Sequence, residues 1–195
     1  VISPDVFVIF GVNHHRRRSY KAWQEGGKLP SFVMEITSMT TRRQDEIEKP
    51  KLYASLGIQE YFQYDPTADY LNPQLKGSHL VDGTYHPLPV QTSADNIPYI
   101  YSPVLGLDLQ LRPQTQPVLG LSPFSQELRF YDPQTGLKLL NREEVKQELD
   151  LTQQERNLAQ QERNLAQQER NLAQQRAEQL AAKLRELGID PDQME

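Results

Sequence analysis

Two carboxylates stand where the chain gives them little reason to be. Glu35 interrupts an apolar, β-like run, Phe32-Val33-Met34-Glu35-Ile36, and Asp5 lies thirty positions earlier at the mouth of a second run, Val6 to Phe10. A carboxylate inside a buried strand is costly unless a positive charge meets it. A nearby Arg or Lys could supply that charge as a salt bridge. So could a bound divalent cation, which Asp5 could share. Asp5 also has a plainer reading, as a strand-entry turn residue after Pro4.

The elements that must position these groups can be read from pattern. Val6 to Phe10, bounded by Pro4-Asp5 and Gly11, predicts a central strand buried on both faces. Alternation in the second run sets Val33 and Glu35 on one face and Phe32, Met34 and Ile36 on the other. Ser38 or Thr40 can then cap a helix beginning near Thr41. Asp45, Lys49 and Tyr53 recur every fourth residue and share one helical face. Pro50 predicts either a kink or a fresh helix start, and both put Lys49 at the joint. Leu56-Gly57 ends the helix, and Gln59 to Tyr64 forms a third strand. This order predicts a mixed α/β sheet with the helix over one face. Tyr53 reads as a packing residue and Asp65, before Pro66, as a turn residue.

The loop before Pro30 holds His14, His15 and Arg16-Arg17-Arg18. Adjacent histidines face opposite ways, so both read as surface residues. The arginines suit either a solvated loop or a phosphate contact. Beyond Asp65, short β-like pieces (78–81, 84–90, 99–104 and 105–111) alternate with turn signals and are expected to extend the sheet antiparallel. Residues 113–141 read as a Pro- and Gln-rich linker with one hairpin-like piece, Leu128 to Leu140, turning at Asp132-Pro133.

The tail is periodic. Gln-Gln-Glu-Arg-Asn-Leu-Ala occurs three times, from Gln153, Gln160 and Gln167, and an Ala/Leu seam follows from Ala173 to Leu187. A helix over 142–188 would be about 65 Å long, with 189–195 a short tail beyond Gly188. Its first half offers one apolar position per heptad, where a coiled coil wants two. It reads either as a long solvated helix or as a weak self-associating or partner-binding one.

Bulk composition sets limits. The chain has 195 residues, net charge −5 and no cysteine. The charge argues against a generally basic, non-specific nucleic-acid binder, although residues 1–60 carry nine Lys/Arg against seven Asp/Glu. Lack of cysteine excludes disulfides and thiolate chemistry and suits a reducing cytoplasm. No run is long and apolar enough for a membrane helix, and no signal peptide is visible.

Pro4-Asp5, Glu35 with Ser38 three later, the Asp45/Lys49/Tyr53 series and Glu60-Tyr61 leading to Asp65-Pro66 together resemble the PD-(D/E)XK nuclease superfamily. More narrowly, residues 3–112 are similar to the Uma-two family of restriction-type endonucleases. The resemblance implies a restriction-endonuclease-like mixed α/β (α+β) core over 1–112 and hydrolysis of DNA phosphodiesters with Mg²⁺ or Mn²⁺. It makes Asp5 and Glu35 metal ligands, with the Ile36 carbonyl a third, and gives Lys49 the attacking water to assist. Thr37 occupies the position where the superfamily carries its lysine, so Lys49 is the substitute. Family members carry further elements before Pro-Asp, so the chain, starting at Val1, is expected to be N-terminally incomplete. The alternative is an inactive nuclease relic that binds other proteins through its C-terminal helix, with homo-oligomers formed the same way.

Overall fold

A computed structural model describes residues 3–13, 15, 17–113 and 126–186. His14, Arg16, the middle of the expected linker, the expected helix stop at Gly188 and the tail lie outside the described residues.

Strand β2 (Phe32–Ile36) is the axis of the first sheet. It lies between β1 (Val6–Val8), antiparallel, and β3 (Glu60–Tyr64), parallel; β4 (Leu75–Val81) and β5 (Thr84–Pro87) continue antiparallel from β3. The parallel pair needs a crossover. It is made by a π-helical turn, Gln44–Glu48, running straight into helix α1 (Lys49–Ser55). Pro50 sits in the first turn of α1. A proline has no N–H to donate and its ring collides with the carbonyl four residues back. The wider π-turn before it avoids that clash without a break. Ser38 starts the helical run through its main-chain carbonyl, which accepts from the amides of Thr41 and Arg42. Its hydroxyl meets Thr40 and Thr41 instead of capping.

Two layers cover this sheet, as strand alternation requires. Phe32, Met34, Phe62 and Leu75 pack against Ile100, Leu109 and Leu111 of a second sheet. On the opposite face Val33 and Tyr61 pack with Tyr53 and Ile58 of the crossover. The second sheet runs β6 (Val90–Thr92), β7 (Pro98–Ser102), β8 (Leu107–Pro113) and β9 (Gln126–Tyr131), all antiparallel. The fold is therefore mixed α+β, with sheets of five and four strands.

Two expectations are corrected here. Val6–Val8 is an edge strand, not a central one: among the described residues it pairs only with β2, and Val6 and Phe7 are exposed. Nor do the later strands extend one sheet. The expected piece 84–90 is split, β5 ending at Pro87 and β6 beginning at Val90 in the other sheet. Leu88 still donates its N–H to Gly77, but Pro89 has none to continue the ladder. The Asp82-Gly83 hairpin is as expected, both residues having positive φ (49° and 77°).

Within the stretch 113–141, Gln126–Tyr131 is the edge strand of the second sheet, and Tyr64 donates its hydroxyl to the Gln126 carbonyl at 2.6 Å. The compact units divide at Leu139 and Leu140. The second unit is built on helix α2 (Arg142–Glu186), which has no buried residue. Asn141 and Glu144 start it with reciprocal hydrogen bonds of 2.9 Å between side chains and amides. Gln153, Gln160 and Gln167 each donate to the Asn four residues on. No helix among the described residues is long and apolar enough to cross a membrane.

Candidate functional site

Alternation along β2 turns Glu35 away from the sheet sandwich and toward the crossover, where it is fully buried. Three groups come to it there. Tyr53, from α1, donates its hydroxyl to Glu35 Oε1 at 2.5 Å. Lys49, one turn earlier, brings its ammonium to 2.8 Å from Glu35 Oε2. The same ammonium lies 2.7 Å from Oδ1 of Asp45, also fully buried, on the π-turn. Tyr61 fixes that turn by donating its hydroxyl to the Asp45 carbonyl at 2.6 Å. The i,i+4 spacing of the three crossover residues thus sets one cation between two buried carboxylates.

Asp5 arrives from the other side. It is exposed and lies one position before β1, where the β1–β2 register, continued by one pair, sets it opposite Glu35. Its Oδ2 accepts the main-chain N–H of Ile36 at 2.9 Å. The chain thus brings Asp5, Glu35, Ile36 and Lys49 to one end of β2. Thr37, two residues past Glu35, is buried with its hydroxyl unpartnered among the described residues.

The electrostatics follow from burial and from two carboxylates facing one ammonium. Burial pushes the Glu35 carboxyl above its usual range, against the pull of Lys49 and Tyr53; Asp5 adds to the rise. Burial pulls the Lys49 ammonium down, but Asp45 and Glu35 outweigh it, so its proton is held more tightly than usual. Burial and then Glu35 push the Tyr53 hydroxyl well up, so it remains a donor. A buried cluster with one negative charge in excess favours positive charge.

Among the described residues, no group of three His, Cys, Asp or Glu side chains stands ready to hold a metal ion. The carboxylates gathered near the end of β2, those of Asp5, Glu35 and Asp45, are nonetheless hard oxygen donors, the chemistry that suits a hard divalent cation. Asp45 Oδ2, buried and without a partner among the described residues, likewise fits a site short of cations.

Two features escaped the sequence reading. Asp45 shows in the sequence only as part of a helical stripe, yet it is the second partner of Lys49. Tyr53 packs, as expected, but its hydroxyl also bonds Glu35. The fourfold spacing was the available signal for both. The arginine run is partly accounted for: Arg17 binds Glu25 at 2.7 Å and the Asn13 carbonyl at 2.8 Å, stapling its own loop. Arg18 and His15 are exposed.

No curated protein and no solved structure matches the chain. Residues 1–112, more than half its length, match the family model Uma2, "Putative restriction endonuclease", and that span contains every residue of the β2 site. The match supports a nuclease role, and the chain belongs to the Uma2 family.

Proposed function

We propose that this chain is a metal-dependent endonuclease that hydrolyses phosphodiester bonds in DNA. The observation that carries the reading is the Lys49 ammonium 2.8 Å from Glu35 Oε2, at the strand end where Asp5 is anchored on the Ile36 amide. Asp5, Glu35 and the Ile36 carbonyl would hold Mg²⁺ or Mn²⁺. Such an ion, when bound, acidifies a water and offsets charge on the phosphate. Tyr53 orients Glu35 by occupying one of its oxygens. Lys49 retains its proton at neutral pH, because two carboxylates hold it. It therefore serves as a fixed cation that orients the attacking water and neutralises phosphate charge, rather than as the base. The cysteine-free composition suits a cytoplasmic setting.

The test is cleavage of supercoiled plasmid by purified protein. Nicking in Mg²⁺ or Mn²⁺, stopped by EDTA and abolished by Glu35→Ala, is the expected result. Intact plasmid with either metal would overturn the reading.

A second reading rests on α2, whose 45 residues are nowhere buried and whose Leu158, Leu165 and Leu172 are exposed at heptad spacing. It makes the chain an inactive relic that works as an interaction module, with a second copy as the simplest partner. Sedimentation equilibrium at high concentration tests it, and a monomer throughout removes that copy.

A further inference from the structure

A π-turn bonds its main chain one residue further along than an α-helix does. Lys49 accordingly donates its N–H to the Gln44 carbonyl, five residues back. The next amide in that register, at position 50, would serve the carbonyl of Asp45. Position 50 is proline, which has no N–H to give. A buried carbonyl left without a donor is costly, so the turn needs one from elsewhere.

Tyr61 supplies it from β3. Its hydroxyl donates to the Asp45 carbonyl at 2.6 Å, a buried contact between residues sixteen apart. The ring is seated between those of Tyr53 and Tyr85, with centroids 5.6 and 5.8 Å away. Burial, and after it the carboxylates of Asp45 and Glu35, push the Tyr61 hydroxyl well up, so it stays a donor. The residue held in this way carries the carboxylate that lies 2.7 Å from the Lys49 ammonium. Without the hydroxyl, the Asp45 carbonyl regains a partner only by turning toward solvent, and that motion takes the Asp45 carboxylate away from Lys49.

We propose that Tyr61 is a positioning residue: its hydroxyl replaces the main-chain donor that Pro50 lacks and thereby holds Lys49 between Asp45 and Glu35 for the reaction. The role in the reaction rests on the nuclease reading above, whereas the coupling of Tyr61 to Pro50 does not.

The experiment compares wild type, Tyr61→Phe and Pro50→Ala/Tyr61→Phe in steady-state plasmid cleavage with Mg²⁺ and in the nitrogen NMR signal of the Lys49 ammonium, assigned by its loss in Lys49→Arg. Tyr61→Phe keeps the ring. It should lower kcat about tenfold or more, with KM within about twofold, because a small misplacement of a group acting in the reaction is felt in the chemical step. The Lys49 signal should shift or broaden as the ammonium leaves its carboxylates. Pro50→Ala provides the missing amide, so the double variant should recover most of both. An unchanged kcat and Lys49 signal in Tyr61→Phe would overturn the proposal, as would losses that Pro50→Ala does not repair, since the hydroxyl would then act by some route other than the stranded carbonyl. Should Tyr61→Phe fold poorly, melting temperature carries the same comparison: recovery in the double variant supports the proposal and none overturns it. A wild type that cuts no DNA sinks the nuclease reading and the positioning role with it, while the Lys49 signal separately decides whether Tyr61 and Pro50 act together.

Discussion

The hydroxyl of Tyr53 donates to Glu35 Oε1 at 2.5 Å, joining the crossover helix to strand β2 across eighteen residues of chain. Both groups are buried, so neither has bulk water to fall back on. Tyr53→Phe keeps the ring packing and strips one carboxylate oxygen of its donor. The expected cost is about 1–3 kcal/mol of stability. Urea unfolding measures it, and an unchanged midpoint would show that the hydrogen bond contributes nothing.

Lys49 balances two buried carboxylates at once. Removing one partner of a buried ion pair typically costs about 3–5 kcal/mol, because the remaining charge is left uncompensated. Lys49→Met should therefore be far more damaging to stability than the triple variant Lys49→Met/Glu35→Gln/Asp45→Asn, which removes the charges together. Equal losses in the two proteins would mean that the cluster is not electrostatically coupled. Cleavage should be lost in both.

Stability should respond to pH with opposite signs at two carboxyls. Burial raises the Glu35 pKa above its ordinary 4.5. Its contribution is full below that value and lost as pH rises through the folded pKa. Wild type should therefore lose stability relative to Glu35→Gln on going up from about pH 4.5. Burial also opposes the charge on Asp65, but there the Thr67 side chain and the amides of Tyr70, Leu71 and Thr67 prevail and hold its pKa below 3.8. Its contribution is present above that value and lost in acid, so wild type should lose stability relative to Asp65→Asn only below about pH 3.8. Melting curves of the three proteins between pH 2.5 and 8 check both slopes. Parallel curves would refute the assignments.

Gly77 lies opposite Phe62 in the β3–β4 register, and a Cβ there would come within 2.5 Å of the Phe62 ring. Gly77→Ala should cost about 1–3 kcal/mol through overpacking. Trimming the ring in Gly77→Ala/Phe62→Leu should return less than the sum of the two single losses. Strict additivity would mean that ring and methyl never meet.

Much of the first sheet was legible because period two and period 3.6 are written directly into side-chain order. Glu35 was assigned the face of Val33, and Asp45, Lys49 and Tyr53 one helical face. What the pattern lacks is the identity of the partner. Leu109 and Ile100 alternate as well in a second sheet as in an extension of the first, and only the Pro87–Pro89 break separates the two outcomes. Val6 to Phe10 is apolar enough for a central strand, yet pairing, not composition, decides that it lies at an edge.

The alternation of β2 has a genetic corollary. One face of the strand is committed to Phe32 and Met34 in the sandwich and the other to Glu35. Inserting a single codon between Phe32 and Glu35 would rotate the acid into the oily interior and swing a hydrophobe beneath Lys49. The reading frame of five residues is thereby shared between folding and chemistry, so a length change in this strand forfeits both at a stroke, whereas an exchange of Phe32 or Met34 for another hydrophobe of similar size need touch neither.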